Sequence, residues 1–354
     1  MKYKADWESA KVRLAAFWEQ EVVDRCCFEV TAPLEPHTDP TAPLEPRPAN
    51  WRTDPDFLVR QYRGEFARTY YGGEAFPKTF INLGAAGHAG YFKGAKYEIH
   101  DDSVWFFPSA HTADDLVFDE ESFLYQKTLE LAEKFALDSR GDYIIGMPDG
   151  AGNADALAHL WGSQRLLEAM IEEPEEVQRA LAKMQYAYEK EMLGAYEILK
   201  KHQIEETCIG WMGTYAARGL HAQMQSDLSV MISTDMYNEF IMPELERQCE
   251  ILDYPLYHFD GIDQIRHLDS LLSIRKLRAI QWMQVAGQPR ATDFIPVLRK
   301  IQQAGKGLFI MVRPHEVQPL MESLSSRGLY LSTKVSSPGE ADELLQKVKG
   351  WTHE

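Results

Sequence analysis

The 354-residue chain has few cysteines: Cys26, Cys27, Cys208 and Cys249. None stands at CxxC or zinc-finger spacing, so neither a disulfide framework nor a cysteine zinc module is expected. Neighbours on a strand point to opposite faces, so Cys26 and Cys27 read as one core and one surface residue rather than a redox pair. Long apolar runs are missing too. Mean hydropathy is −0.37, and no stretch approaches the roughly 20 residues that cross a bilayer. The opening MKYKADWESAKVRLAAFWEQ lacks the apolar centre of a signal peptide. It reads as an amphipathic helix with Trp7, Val12, Leu14, Ala15 and Trp18 on or near one face. A cytoplasmic, membrane-free protein is the expectation. Positive charge is in deficit, with 37 Lys and Arg against 54 Asp and Glu and a net charge of −17. Phosphate backbones and anionic membranes would be repelled, which disfavours both as partners, and no nucleic acid is expected. A small anion held by a few local basic side chains stays compatible. Walker A, HExxH, GxSxG and strand-coupled GxGxxG motifs are absent. Gly84, Gly87, Gly90 and Gly94 lack dinucleotide spacing and read as a flexible loop.

What is present is strand–helix alternation. Apolar runs bounded by turn residues recur at 26–32, 79–83, 142–147, 207–212, 254–260, 277–283, 307–313 and 328–333. Between the later runs lie helical patterns over 154–172, 175–202, 234–252, 263–272, 292–304, 316–327 and 339–348. Such alternation with short loops means a parallel sheet, and about eight units over this length fit a (β/α)8 TIM barrel. One domain over 1–354 is expected, with residues 1–75 forming an N-terminal helix and an irregular arm that belong to it. The arm holds a near-direct repeat, TAPLEPHTDP then TAPLEPRPAN, within Thr31–Pro55. Its prolines argue for an extended surface loop. The aromatic-rich Gly84–Asp119 stretch reads as a pocket cap.

The most informative segment is Tyr257-His258-Phe259-Asp260-Gly261. It closes an apolar run and precedes a helical pattern. His258 and Asp260 are two apart, so on a strand they share a face. The carboxyl ends of parallel barrel strands are where such a fold keeps its chemistry. The strand-end set is Asn82, Asp149, Trp211, His258, Asp260, Gln281, Trp282, Arg313 and Lys334, polar and aromatic as a ligand pocket requires. Each also has a bland reading. Asp149-Gly150 and Asp260-Gly261 serve equally as turns with a capping Asp, Trp211 and Trp282 as core, and His258 as a satisfied core histidine. As a metal pair, His258 and Asp260 offer a nitrogen and an oxygen that zinc accepts. Spacing does not choose a third ligand among Asp149, Glu74, His315, Glu316 and Cys208. As a metal-free pair they would shuttle and orient a proton.

Four segments carry a family resemblance: GMPDGAGNADALAHLWGSQRLLEAMIEEPEEV (146–177), SDLSVMISTDMYNEFIMPELE (226–246), YHFDG (257–261) and AIQWM (279–283), with AGK at 304–306. Together they resemble the uroporphyrinogen decarboxylase superfamily over nearly the whole chain, in a branch related to corrinoid and zinc methyltransferases. The resemblance implies a (β/α)8 barrel and is compatible with a homodimer. It implies either tetrapyrrole decarboxylation or zinc-dependent methyl exchange with a corrinoid or thiol carrier. Two departures bear on that choice. The decarboxylases carry an Arg-Gln-Ala-Gly-Arg-Tyr segment whose arginines bind carboxylates, and the nearest match here is Val59–Gly64, with Arg60 and Arg63. The zinc methyltransferases carry His-x-Cys where this chain has His258 and Asp260, and a further Cys near the last strand where it has Ser332, Thr333, Lys334 and Ser336. A His/Asp site would be a harder Lewis acid than a thiolate one.

The expectation is therefore an enzyme moving a methyl group between a small substrate and a corrinoid or similar carrier. In it His258 and Asp260 act as metal ligands or as an acid–base pair, with Asp149 beside them as a catalytic group. Asp149 and Gln281 would orient the substrate, and Trp282, Trp211 and Trp105 would wall the pocket. The alternative is a decarboxylase without metal or corrinoid, using Arg60 and Arg63 for anion binding. A third reading is a non-catalytic ligand-binding barrel.

Overall fold

The computed structural model describes residues 1–35, 38–150 and 152–353. Pro36 and His37 of the arm, and Ala151 of the 146–177 segment, lie outside the described residues. The architecture is mixed α/β around a seven-stranded sheet. Its spatial order is Thr69–Gly73, Cys27–Pro33, Leu329–Lys334, Gly307–Met311, Ala279–Trp282, Leu256–Phe259 and Gln223–Met224. All neighbours are parallel except Thr69–Gly73, which runs antiparallel to Cys27–Pro33. Isolated parallel bridges, Lys78 to Ile144, Ile81 to Pro148 and Gly146 to Cys208, carry the pattern into the other apolar runs.

The apolar runs at both ends of the chain thus become ladder strands, while 79–83 and 142–147 contribute single bridges. The 207–212 run supplies only Thr207–Cys208, which pairs antiparallel with Tyr215–Ala216. The pattern missed Gln223–Met224, which is too short to show alternation. The expected 154–172 helix is two helices, Asn153–Trp161 and Ser163–Glu172, because Gly162 adopts φ +86° between them. The 175–202 pattern becomes Pro174–Lys201, with Pro at its first turn, Glu175 and Glu176 at the positive end and Lys200 and Lys201 at the negative end. Within the N-terminal 75 residues a second helix, Pro55–Arg68, appears, started by Asp54 accepting from Phe57 N at 2.9 Å.

Strand alternation divides the core into two faces. Tyr257, Phe259, Ile280, Trp282, Leu308, Ile310 and Leu331 point one way, into the large cluster shared with the helices. Leu256, Ala279, Phe309, Tyr330 and Cys27 point the other way. There they meet Trp7, Leu14, Phe17 and Trp18 of the Trp7–Trp18 helix, which covers the amino ends of the strands. Trp18 Nε1 donates to Tyr215 O at 2.7 Å and fixes that helix. One step further along the same inner face the residues turn polar: Glu29, Ser332, Gln281 and His258. Among the described residues, no helix is long and apolar enough to cross a membrane.

Close backbone contact holds the bridged strands. A Cβ at Gly146 would lie 2.2 Å from Thr79 O and 2.8 Å from Gly210 Cα, all of it backbone that cannot turn aside. We expect Gly146→Ala to cost about 3 kcal/mol, read as a lower midpoint in chemical denaturation. An unchanged midpoint would contradict this packing.

Candidate functional site

The site lies where the inner face turns polar. His258 and Gln281 sit opposite each other in adjacent parallel strands, and both point inward. His258 is 9% exposed. Its Nδ1 lies 2.6 Å from Gln281 Oε1, and its Nε2 lies 3.2 Å from Asp260 Oδ1. A carboxamide oxygen only accepts, so Nδ1 carries the hydrogen and Nε2 faces Asp260. Asp260 follows the strand at a turn that needs Gly261 (φ +63°), where a Cβ would meet Gln288 Oε1 at 2.3 Å.

A third acid completes the group. Asp227 offers a carboxylate oxygen that lies with an atom of His258 and one of Asp260 inside a 4.8 Å span. Two devices bring it there. Gln264 accepts from Asp260 N at 3.2 Å and donates to Ser226 O at 2.9 Å, tying the two loops together. Asp155, on the Asn153–Trp161 helix, accepts from the backbone N–H groups of Asp227 and Leu228 at 3.0 and 2.7 Å.

The electrostatics follow from this crowding. Burial would lower the His258 pKa, but the hydrogen bond and charge of Asp260, with Gln281 and Asp227, raise it instead. Asp260 is held below the ordinary carboxylate value, chiefly by its hydrogen bond to His258. Asp227 is pushed up to about 8 by desolvation and by repulsion from Asp155 and Asp260. Solvent reaches Asp227, which limits the first cause and leaves the like-charge crowding to act. Asp155 is raised by burial, against the pull of its two backbone donors.

Asp149 is linked to the group through Gln223 and Trp211. Gln223 Nε2 donates to Asp149 Oδ1 at 2.5 Å and to Gln225 Oε1 at 3.1 Å, and Gln223 Oε1 accepts from Trp211 Nε1. The Trp211 ring meets the His258 ring edge-on, with centroids 5.3 Å apart. Burial lifts Asp149 to about 7, against the charge of His258 and the Gln223 hydrogen bond. A cavity of about 360 Å³ opens beside Trp211, lined by Tyr62, Tyr71, Phe76, Phe80, Met311 and Ser332, and by Glu29, Glu65, Lys78 and Lys334.

The structure thus gathers His258, Asp260, Gln281, Asp149 and Trp211. It places the other expected residues elsewhere. Trp282 is 1% exposed on the outer face, stacked on Phe259 and packed on Phe294, because it neighbours the inward Gln281 on a strand. Trp105 is 54% exposed on the Lys96–Ile99/Val104–Phe107 hairpin, in a separate surface cleft with His159. Arg60 pairs with Glu45 at 2.8 Å, and Arg63 with Asp138 and Asp142 at 2.7 and 3.0 Å. Their helix turns Tyr62, Glu65 and Phe66 to the cavity instead. None of the other proposed third ligands joins the three. Glu74 is buried against Arg25 and Phe28 N, and Cys208 is in the apolar inner cluster with its thiol pushed up to about 12 by burial. Glu316 caps Arg313 N, and His315 lies 3.4 Å from Arg290. Sequence reasoning missed Asp227, Asp155 and Gln223. The first two lay inside the quoted segments 226–246 and 146–177, which were the available signal.

No protein-family model matches the chain, and no curated protein does. A methyltransferase from Methanosarcina mazei is similar in structure, with a TM-score of 0.61 at 12% identity over 96% of this chain and 98% of that one. A B12-independent methionine synthase from Shewanella sp. W3-18-1, in complex with selenomethionine, gives a TM-score of 0.45 at 12% identity over 90% and 91%. At that identity the first likeness shows a shared fold, and the second is too weak to add to it.

Asp149 links pH to stability. Its carboxyl is raised from 3.8 to about 7, so the folded state keeps a proton that the unfolded state has lost. Its contribution is fully present below about pH 4 and is lost as pH rises through about 7. We expect Asp149→Asn to gain stability relative to the parent chain at pH 8 and not at pH 4, by denaturation at both values. A difference independent of pH would contradict the shift.

Proposed function

We propose that the chain is a methyltransferase that holds a zinc ion on Asp227, His258 and Asp260 and moves a methyl group between a small molecule and a carrier of corrinoid or similar type. We further read the parallel sheet as the wall of a (β/α)8 barrel spanning 1–354, with this site at the carboxyl ends of its strands. The observation that carries the proposal is the meeting of one imidazole and two carboxylates within 4.8 Å, beside an aromatic-walled cavity.

The donor set fits the ion. Nitrogen and oxygen ligands suit zinc, and three protein ligands leave a position open for substrate. Gln281 engages Nδ1, so Nε2 is the nitrogen that would turn a lone pair to the metal once its proton is displaced. A cation also relieves the repulsion that raises Asp227. When bound, zinc supplies Lewis acidity, lowering the pKa of a coordinated thiol, hydroxyl or water. The set contains no thiolate, so the ion would be harder than one held by cysteines.

The chain's own residues supply the rest. Asp149, near 7, can release or take up a proton at neutral pH. Gln223 holds it in place and also orients Trp211, whose ring stands between the three ligands and the cavity. The decarboxylase alternative is weakened because Arg60 and Arg63, its anion binders, are occupied by protein carboxylates.

The test is zinc binding together with methyl exchange on free cobalamin, followed by visible absorbance. We expect about one zinc per chain, lost or greatly weakened in Asp227→Ala, His258→Ala and Asp260→Ala. Gln281→Leu should weaken zinc by about 10–100-fold. A chain that takes up no zinc on reconstitution, or an Asp227→Ala variant that binds it unchanged, would overturn the assignment.

A further inference from the structure

The cavity beside Trp211 has a feature that the metal reading does not use. Its body is aromatic, with Tyr62, Tyr71, Phe76 and Phe80 among its walls, and two lysines, Lys78 and Lys334, face it. In a chain with 54 acidic residues, neither lysine makes an ion pair with a carboxylate among the described residues. Lys78 Nζ instead stands 5.1 Å from the centroid of the Phe76 ring. Ammonium groups facing a concave apolar site are the usual means of fixing an anionic ligand's orientation there.

Of the three acids in the cavity, Glu29 and Asp39 are held by other groups, while Glu65 has the two lysines as its main opposing charges. Glu29 accepts from Tyr330 Oη at 3.0 Å and from Ser332 Oγ, so both its oxygens are engaged on the strand side. Glu65 is raised by burial, with Lys78 and Lys334 as its opposing influences. Asp39, on the arm, accepts from the Thr41 backbone N–H and hydroxyl at 2.9 and 2.7 Å. Gly213 leaves room beside two of these side chains: a Cβ there would lie 2.9 Å from Lys78 Nζ and 2.5 Å from Glu29 Oε2. Two wall residues of the cavity also touch the residues around the proposed metal site. Trp211 lines it and meets His258 edge-on, and Met311 lines it with its sulfur 3.8 Å from Gln281 Nε2.

We infer that this cavity binds a small organic acid, with its carboxylate on Lys78 and Lys334 and its apolar body against the aromatic wall and Trp211, directed toward His258. The volume of about 360 Å³ lies at the small end of ligand sites. The inference rests on the methyl-transfer reading only for the ligand's role as the partner in methyl exchange; binding itself does not depend on it.

Calorimetric titration of the purified full chain, with zinc content measured on the same sample, tests this. The probes are propionate, benzoate and 3-phenylpropionate, each beside its neutral primary amide. We expect at least one acid to bind about tenfold or more tightly than its amide. That preference should vanish in Lys78→Met and in Lys334→Met while zinc content stays at the parent value. Absence of binding by all three acids, equal binding of acid and amide, or a preference that survives both substitutions would overturn the inference. Acid binding in a chain that takes up no zinc would sink the metal reading and leave this one standing. Zinc binding without acid discrimination would do the reverse.

Discussion

Like-charge repulsion at one end of the sheet is the constraint on which the rest depends. Asp155, Asp227 and Asp260 crowd a single imidazole, and His258 is the one basic group among the four. Such a cluster is costly unless other interactions hold it. Here they do: Gln264 ties the Asp260 turn to Ser226, Asp155 takes two backbone N–H groups, and Gln281 fixes the imidazole. The loops therefore hold their acids in place against the repulsion. The zinc proposed for this site would supply the missing counter-charge.

The sheet places His258 and Gln281 by alternation. Along the inner face, an apolar layer of Leu256, Ala279, Phe309 and Tyr330 rests on the N-terminal helix. The next inward positions are His258, Gln281 and Ser332, and Asp260 follows beyond its strand. One residue of register slip would exchange His258 for Phe259 and Gln281 for Trp282, and the site would vanish into the outer core. The continuous apolar outer face, from Tyr257 to Leu331, makes such a slip prohibitive. Packing of the core and placement of the chemistry are thus fixed by one ladder.

Much of this was legible in the amino-acid sequence because it depends on short periods. The i, i+2 relation of His258 and Asp260 and the strand–helix alternation are local, and the structure does bring those two side chains together beside a large parallel sheet. The same period, applied to Gln281 and Trp282, should have rejected Trp282, since adjacent strand residues cannot share a pocket. Arg60 and Arg63 sit on the wrong face of a helix that the sequence did not announce, because its start lies behind a proline-rich stretch. The place of Asp227 beside His258 and Asp260 was not legible: it comes from Gln264 and Asp155, both far from it in the chain and joined to it only by folding.

The central claim is that one nitrogen and two carboxylate groups, with no sulfur, bind the metal. X-ray absorption at the zinc edge of the reconstituted full chain tests it most directly. The account predicts a first shell of nitrogen and oxygen at about 2.0–2.2 Å with an imidazole signature. A sulfur shell near about 2.3 Å, or zinc that the chain does not retain, would contradict it.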